Sequence, residues 1–381
     1  MVRSKNVLSI MVQTFFVMGI VTVLWAVVGF SLAFSRDAGG GLIGNLGFFG
    51  LGGLGHGLPG YSHLAVSPDA VMIFQMMFAI VTAALIIGGV ADRMRFQGFV
   101  VFIALWVLLV YAPIAHWVFS PVGWLAHLGV LDFAGGTVVE INAGFSTLAL
   151  VLVLGRRSGW PRESMPPHSI PLSIIGAGIL WFGWFGFNAG SALGANEIAV
   201  HAFVNTQLAA AAGLLGWLVF EWANDRVATA LGAVSGAVGG MVAITPCAGF
   251  VGPMPALLIG AIAGFGCALA VKLKYRYLYD DSLDVLAVHG ICGLIGMVLL
   301  GCFAERSVNA AGSNGLFFGG GGRLLGLEVL AAVVTVAYSF LVTYGIAKLV
   351  DRFIGLRASP EDEFRGLDLS QHGESAYSSG A

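Results

Sequence analysis

Residues 132–144 read DFAGGTVVEINAG and residues 284–293 read DVLAVHGICG, and these two stretches decide how the chain is read. Each is an apolar run opened by an aspartate, Asp132 or Asp284, with one ionisable residue well inside it, Glu140 or His289. A charge at bilayer depth costs at least ~2.5–3.5 kcal/mol on insertion scales, so such residues face protein or a lined path rather than lipid. Similar placement in the two halves of one chain points to a duplicated membrane transporter whose working groups sit where the halves meet.

Composition supports that reading. The chain is 58% hydrophobic and 10% charged, with mean hydropathy +0.90, whereas soluble domains carry ~25% charged residues. Apolar runs at roughly 8–34, 69–91, 98–117, 133–155, 169–190, 198–222, 226–247, 253–273, 283–303 and 324–353 predict ten spans. With both ends inside, Arg3, Lys5, Arg93, Arg95, Arg156, Arg157, Arg162, Arg226, Lys272, Lys274, Arg276, Lys348, Arg352, Arg357 and Arg365 are cytoplasmic. Only Arg36, Arg306 and Arg323 then fall outside, a strong positive-inside bias that any shift of the span count would scramble. Residues 1–354 thus form a transmembrane domain and residues 355–381 a polar cytoplasmic tail. The net charge of −2, without a basic cluster, gives no footprint for nucleic acid. Cys247, Cys267, Cys292 and Cys302 stand singly, without metal-ligand spacing, and read as small packing residues. The first apolar run is too long for a cleavable signal peptide and has no cleavage pattern.

Glycines at 232, 236 and 240, and at 260 and 264, recur every four residues, a spacing that lets membrane helices approach closely. The outer loop at 35–68 is glycine-rich, as a cap or a re-entrant segment would be. Asn142, Gln75, Asn188 and Thr245 are expected to make interhelical hydrogen bonds, and Asp284 to cap its span's inner start. Glu328, His116, His127 and His201 read as structural or interfacial groups near outer ends. Phe74 and Phe78 share a helix face at the outer start of the second span, Phe119 follows the third, and Phe187 and Ser191 close the fifth. Aromatic faces attract a small cation by ~0.5–2 kcal/mol, and a hydroxyl can accept its hydrogen bond. Taken one at a time, the same phenylalanines fit a lipid-facing interfacial belt better. Depth alone does not bring Glu140 to His289. At 1.5 Å per residue the first lies ~10 Å below its outer helix end and the second ~9 Å above its inner one.

KNVLS (5–9), ADRMRF (91–96), PIAHWV (113–118), DFAGGTVV (132–139), GWFGFNAGSA (183–192), ANEIA (195–199), AFVNT (202–206), VHGICG (288–293) and GLDLSQHGESAY (366–377) together resemble the Amt/Mep/Rh ammonium transporter family, in particular its bacterial Amt type. The resemblance implies an all-α polytopic membrane protein with inverted five-helix repeats and both ends cytoplasmic, in the cell (inner or plasma) membrane. It has ten spans here against the family's eleven. It implies substrate recruitment at Phe74, Phe78, Phe119 and Ser191, a gate of Phe78 and Phe187, and structural support from Asp132. Glu140 and His289 take the places of the family's paired pore histidines. It also implies a homotrimer that handles ammonium and methylammonium without a cofactor, and a trimeric nitrogen-regulatory protein that docks on the tail and plugs the pore.

Three departures stand out. Glu140 replaces the leading histidine, an acidic variant that some fungal relatives share. Phe119 stands where tryptophan, the stronger cation–π partner, is common. MVRSKNVLS resembles the inner turn between the family's first two spans, so the expectation is a first span missing from this sequence and a Met1 that corresponds to an internal residue. The competing reading is an ammonium sensor that signals through a partner on its tail. An intramembrane hydrolase is disfavoured, because the chain has no HExxH helix and no obvious paired intramembrane aspartates.

Overall fold

A computed structural model describes residues 1–61 and 64–377. The outer-loop and tail expectations that extend to residues 62–63 and 378–381 lie outside the described residues. The chain runs through α1 (Ser4–Phe34), α2 (Pro68–Val90), α3 (Phe96–Val118), α4 (Gly136–Leu154), α5 (Ile170–Gly190), α6 (Glu197–Asp225), α7 (Ala230–Ile244), α8 (Pro253–Tyr277), α9 (Leu286–Phe303) and α10 (Arg323–Phe353). Among the described residues nine of these are long and apolar enough to cross a membrane. The run at 226–247 instead forms α7 of 15 residues, ~22 Å of helix, and continues as turns from Thr245 to Phe250.

Helix starts follow local chemistry. Ser67, Ser169, Asn196 and Thr229 each cap a helix by accepting a backbone N–H three residues on, and Pro68 and Pro253 occupy first positions whose amides need no partner. The helices are apolar on all sides, so the choice of buried face falls to small residues. A methyl group on Gly236, Gly240 or Gly264 would strike the backbone of α6 at Gly213 or Ala209. Those glycines therefore seat α7 and α8 against α6, as the four-residue spacing predicted. The four cysteines are free and buried.

α4 is the most buried of the long helices, followed by α3 and α9. In α4, 78% of the apolar window is buried inside the protein, against 6% in α5 at the periphery. α4 crosses α9 where a methyl on Gly144 would collide with the Cα and N of Gly290, while Gly293 lies against the Cβ of Glu140. This crossing supplies the contact that helix depth alone left open.

On one face the basic residues form a polar network. Arg157 makes a bidentate pair with Asp280 (2.8 and 3.0 Å) and a further pair with Asp92 (3.3 Å), which also accepts from Arg3 at 2.8 Å. Arg93 donates to the carbonyls of Ala91, Gly155 and Asp280 and to Ser282. The tail returns to this face. Asp368 accepts from the amides of Leu8 and Ser9, Glu363 from Ser158 and Arg357, and Gln371 from the amide of Phe96. Both ends of the described chain therefore meet on the arginine-rich face.

Two outcomes follow. Replacing Gly144 by alanine should overpack the crossing at ~1–3 kcal/mol, whereas Gly19→Ala, which meets nothing within 4 Å, should stay within about 0.5 kcal/mol; thermal unfolding of the purified protein in detergent measures both. Burial opposes ionisation of Asp280, but hydrogen bonds and charge from Arg157, with Arg93, outweigh it and hold the carboxyl below its usual value of 3.8. A lowered folded-state value contributes stability above the unfolded pKa and loses it as pH falls through the folded one. Thermal stability should therefore hold from neutral pH to roughly pH 4 and decline below it. Asp280→Asn should cost about 3 kcal/mol at neutral pH and flatten that acid limb.

Candidate functional site

The segment before α4 turns on Gly135, whose φ of +114° favours glycine. Asp132 then receives three backbone amides, from Gly135, Gly136 and Thr137, at 2.7–2.8 Å, together with the Thr137 hydroxyl. The helix begins in a π-helical turn, Gly136–Ile141, which carries Glu140. The second half repeats the device. A π-helical turn at Leu286–Ile291 carries His289, and Asp281 accepts from the Leu286 amide at 2.7 Å. Asp281 precedes His289 by the same eight residues that separate Asp132 from Glu140. The expectation that Asp284 caps this helix is thus corrected. Asp284 sits at φ +64° and pairs with Lys274, because the left-handed bend turns its carboxylate away from the helix start. Widened turns of this kind often occur at functional positions.

His289 Nδ1 and Glu140 Oε2 lie 2.7 Å apart. Glu140 is fully buried, and its Oε1 has no protein partner among the described residues. With the carboxylate ionised and the imidazole neutral, Nδ1 is the donor and His289 Nε2 is left as an acceptor.

The aromatic residues face one another rather than lipid. Phe78 meets Phe74 edge-on at 4.9 Å, Phe119 edge-on at 5.8 Å and Phe187 at 4.4 Å with a 34° tilt. Phe74 packs over Gly190, beside Ser191, whose hydroxyl donates to the Phe187 carbonyl at 2.9 Å. Tyr61, which the sequence did not single out, donates to the Phe119 carbonyl at 2.8 Å and anchors that end of α3. A cavity of about 410 Å³ is lined by Phe74, Phe78 and Phe187 of the aromatic cluster and by Val139, Glu140 and Trp184, and its wall also includes the exposed Met77 and Leu180. Trp184 was not predicted; its indole donates to Thr245 at 3.0 Å, leaving a flat apolar wall. Phe78, Phe187 and Glu140 therefore line one space.

Other polar residues sort by contact. Asn142 accepts from Ser339 on α10 and Asn188 donates to Thr206 on α6, as expected of interhelical partners. Gln75 departs from that expectation, because its buried Oε1 has no partner among the described residues. His116 and His201 bind the carbonyls of Ala33 and Val251, and His127 is exposed.

The sequence profile described as Ammonium Transporter Family matches residues 1–377. An ammonium transporter of Bacillus subtilis is 47% identical over 99% of this chain and 92% of its own length. Ammonium transporter Amt1 of Archaeoglobus fulgidus is 46% identical with the same two shares. The crystal structure of Saccharomyces cerevisiae Mep2 superposes with a TM-score of 0.85 at 36% identity, covering 91% of this chain and 79% of that one. A structure titled Sensor Amt Protein superposes with a TM-score of 0.87 at 31% identity, covering 97% and 91%. The chain is a multi-pass membrane protein and belongs to the ammonium transporter family.

Proposed function

We propose that the protein moves ammonium and methylammonium across the cell membrane by capturing the cation at an outer aromatic site and passing neutral ammonia and a proton inward separately. The observation that carries this reading is the 2.7 Å Glu140–His289 contact, together with a cavity whose wall Glu140 shares with Phe78 and Phe187. Ammonium has a full charge and four donors, and taking it into an apolar conduit without compensation is prohibitive. Phe74, Phe78 and Phe119 offer ring faces and Ser191 a hydroxyl, which offset part of that cost, and the amide-held carboxylate of Asp132 supports the site. The closely packed Phe78–Phe187 pair bars hydrated ions. Once the proton is removed, ammonia crosses cheaply, and the proton travels along Glu140 and His289. A carboxylate–imidazole couple titrates as a unit. Unlike a pair of histidines it can be net negative, which favours looser rejection of small cations and a different pH optimum.

In this reading residues 1–354 form the conducting domain of a homotrimer, and residues 355–381 form the surface for a trimeric nitrogen-regulatory partner. The second reading, a sensor, is favoured by the likeness to a structure titled Sensor Amt Protein and by the tail contacts on α1 and the 91–96 loop. Solid-supported-membrane recordings on proteoliposomes separate the two. Ammonium-driven current or luminal pH change supports transport, and its absence with retained ligand binding supports sensing.

Glu140→Gln should lower that current about 100-fold, the low end of the ~10²–10⁴ range for a lost proton-transfer group. Glu140→His should move the pH profile of methylammonium uptake and reduce potassium leak; profiles indistinguishable from the parent would defeat the role given to the couple. Phe119→Trp should lower the apparent KM for methylammonium roughly two- to fivefold, the equivalent of ~0.5–1 kcal/mol of added cation–π attraction.

A further inference from the structure

Glu328 is an acid that the pathway above does not use. It lies in α10, fully buried, and its Oε1 accepts the backbone N–H of Leu131 at 2.8 Å. Its Oε2 is buried without a hydrogen-bond partner among the described residues. An ionised carboxylate there would be a buried charge with one donor and no salt-bridge partner among the described residues, a costlier arrangement than the neutral acid.

The backbone it touches leads into the outer site. Hydrogen bonds pin this segment almost residue by residue. Val130 N–H donates to the Leu125 carbonyl, Phe133 N–H to the Pro246 carbonyl, and Gly135, Gly136 and Thr137 to Asp132. Leu131 N–H is the one held by a side chain from α10.

We infer that Glu328 is a positioning residue for the outer substrate site: its carboxyl oxygen holds the Leu131 amide, and through it the Asp132 segment that shapes the site beneath Phe119. This rests on the outer-site reading above. Gln can replace the acid, since an amide oxygen accepts the same bond without a charge, whereas truncation leaves the Leu131 amide unpaired and lets the segment shift.

The test is methylammonium uptake by full-length protein in liposomes over a concentration series and a pH series. The parent, Glu328→Gln and Glu328→Ala are compared, each normalised to folded protein by gel filtration. Glu328→Ala should raise KM about five- to tenfold, as losing a buried hydrogen bond does, with maximal rate per folded protein within about twofold. Glu328→Gln should match the parent in KM and in pH profile. An unchanged KM in the alanine variant overturns the inference, and so does a glutamine variant that behaves like alanine or displaces the pH profile. Should the alanine variant not fold, Glu328→Leu, which fills the space without an acceptor, takes its place, and the glutamine pH profile still decides the charge state. A parent that binds methylammonium without transporting it sinks the transport reading instead; the variants are then ranked by Kd from calorimetry, with the same expected order.

Discussion

The crossing of α4 and α9 at Gly144 and Gly290 is the contact on which the site depends. The two helices approach until backbone meets backbone, a separation that one added methyl group would not allow. Lipid tails provide no hydrophobic drive for such an approach, so close packing has to supply it. Because Gly144 lies one helical turn beyond Glu140 and Gly290 adjoins His289, the same approach that packs the bundle sets carboxylate against imidazole. The energetic logic is mutual. Each ionisable group alone would be an expensive guest in the bilayer, and each supplies the other's hydrogen bond.

A second constraint is repeated in both halves. An aspartate accepts backbone amides at the start of a helix, three at Asp132 and one at Asp281, the helix opens with a widened turn, and the ionisable residue sits in that turn eight positions beyond the aspartate. The four-donor cradle around Asp132 keeps that carboxylate fully engaged with its own segment. Contacts from Tyr61 and Glu328 hold the same region from the outer loop and from α10.

Away from the apolar bundle the balance of forces changes. At the arginine-rich face the long basic side chains are used up by Asp92, Asp280 and backbone carbonyls, which ties the 91–95 turn, the 155–157 turn, the 280–282 segment and the chain's first residues into one layer. The tail adds its own caps to that layer. A residue that changes the tail is thereby connected through hydrogen bonds to the start of α1 and to the turn between α2 and α3.

The amino-acid sequence by itself determined the class of protein, the approximate spans, the basic face and the candidate residues. All of these follow from hydropathy, charge counts and local spacing, which depend on no distant contact. It also exposed the glycine spacing that seats α7 and α8 on α6. Partner choice was decided by the tertiary structure. Taken one at a time, Phe74, Phe78, Phe119 and Phe187 fit a lipid-facing belt better than a cluster until the rings were seen within 4.4–5.8 Å of Phe78. Asp284 looked like a helix cap because it is nearest in sequence, and a left-handed φ gave that task to Asp281. Gln75 without a partner for its carbonyl, Trp184 as a cavity wall and Glu328 on the Leu131 amide had no local signature, because each depends on helices far apart in the chain. Periodicity records which residues share a face; it carries no information on which helix that face will meet.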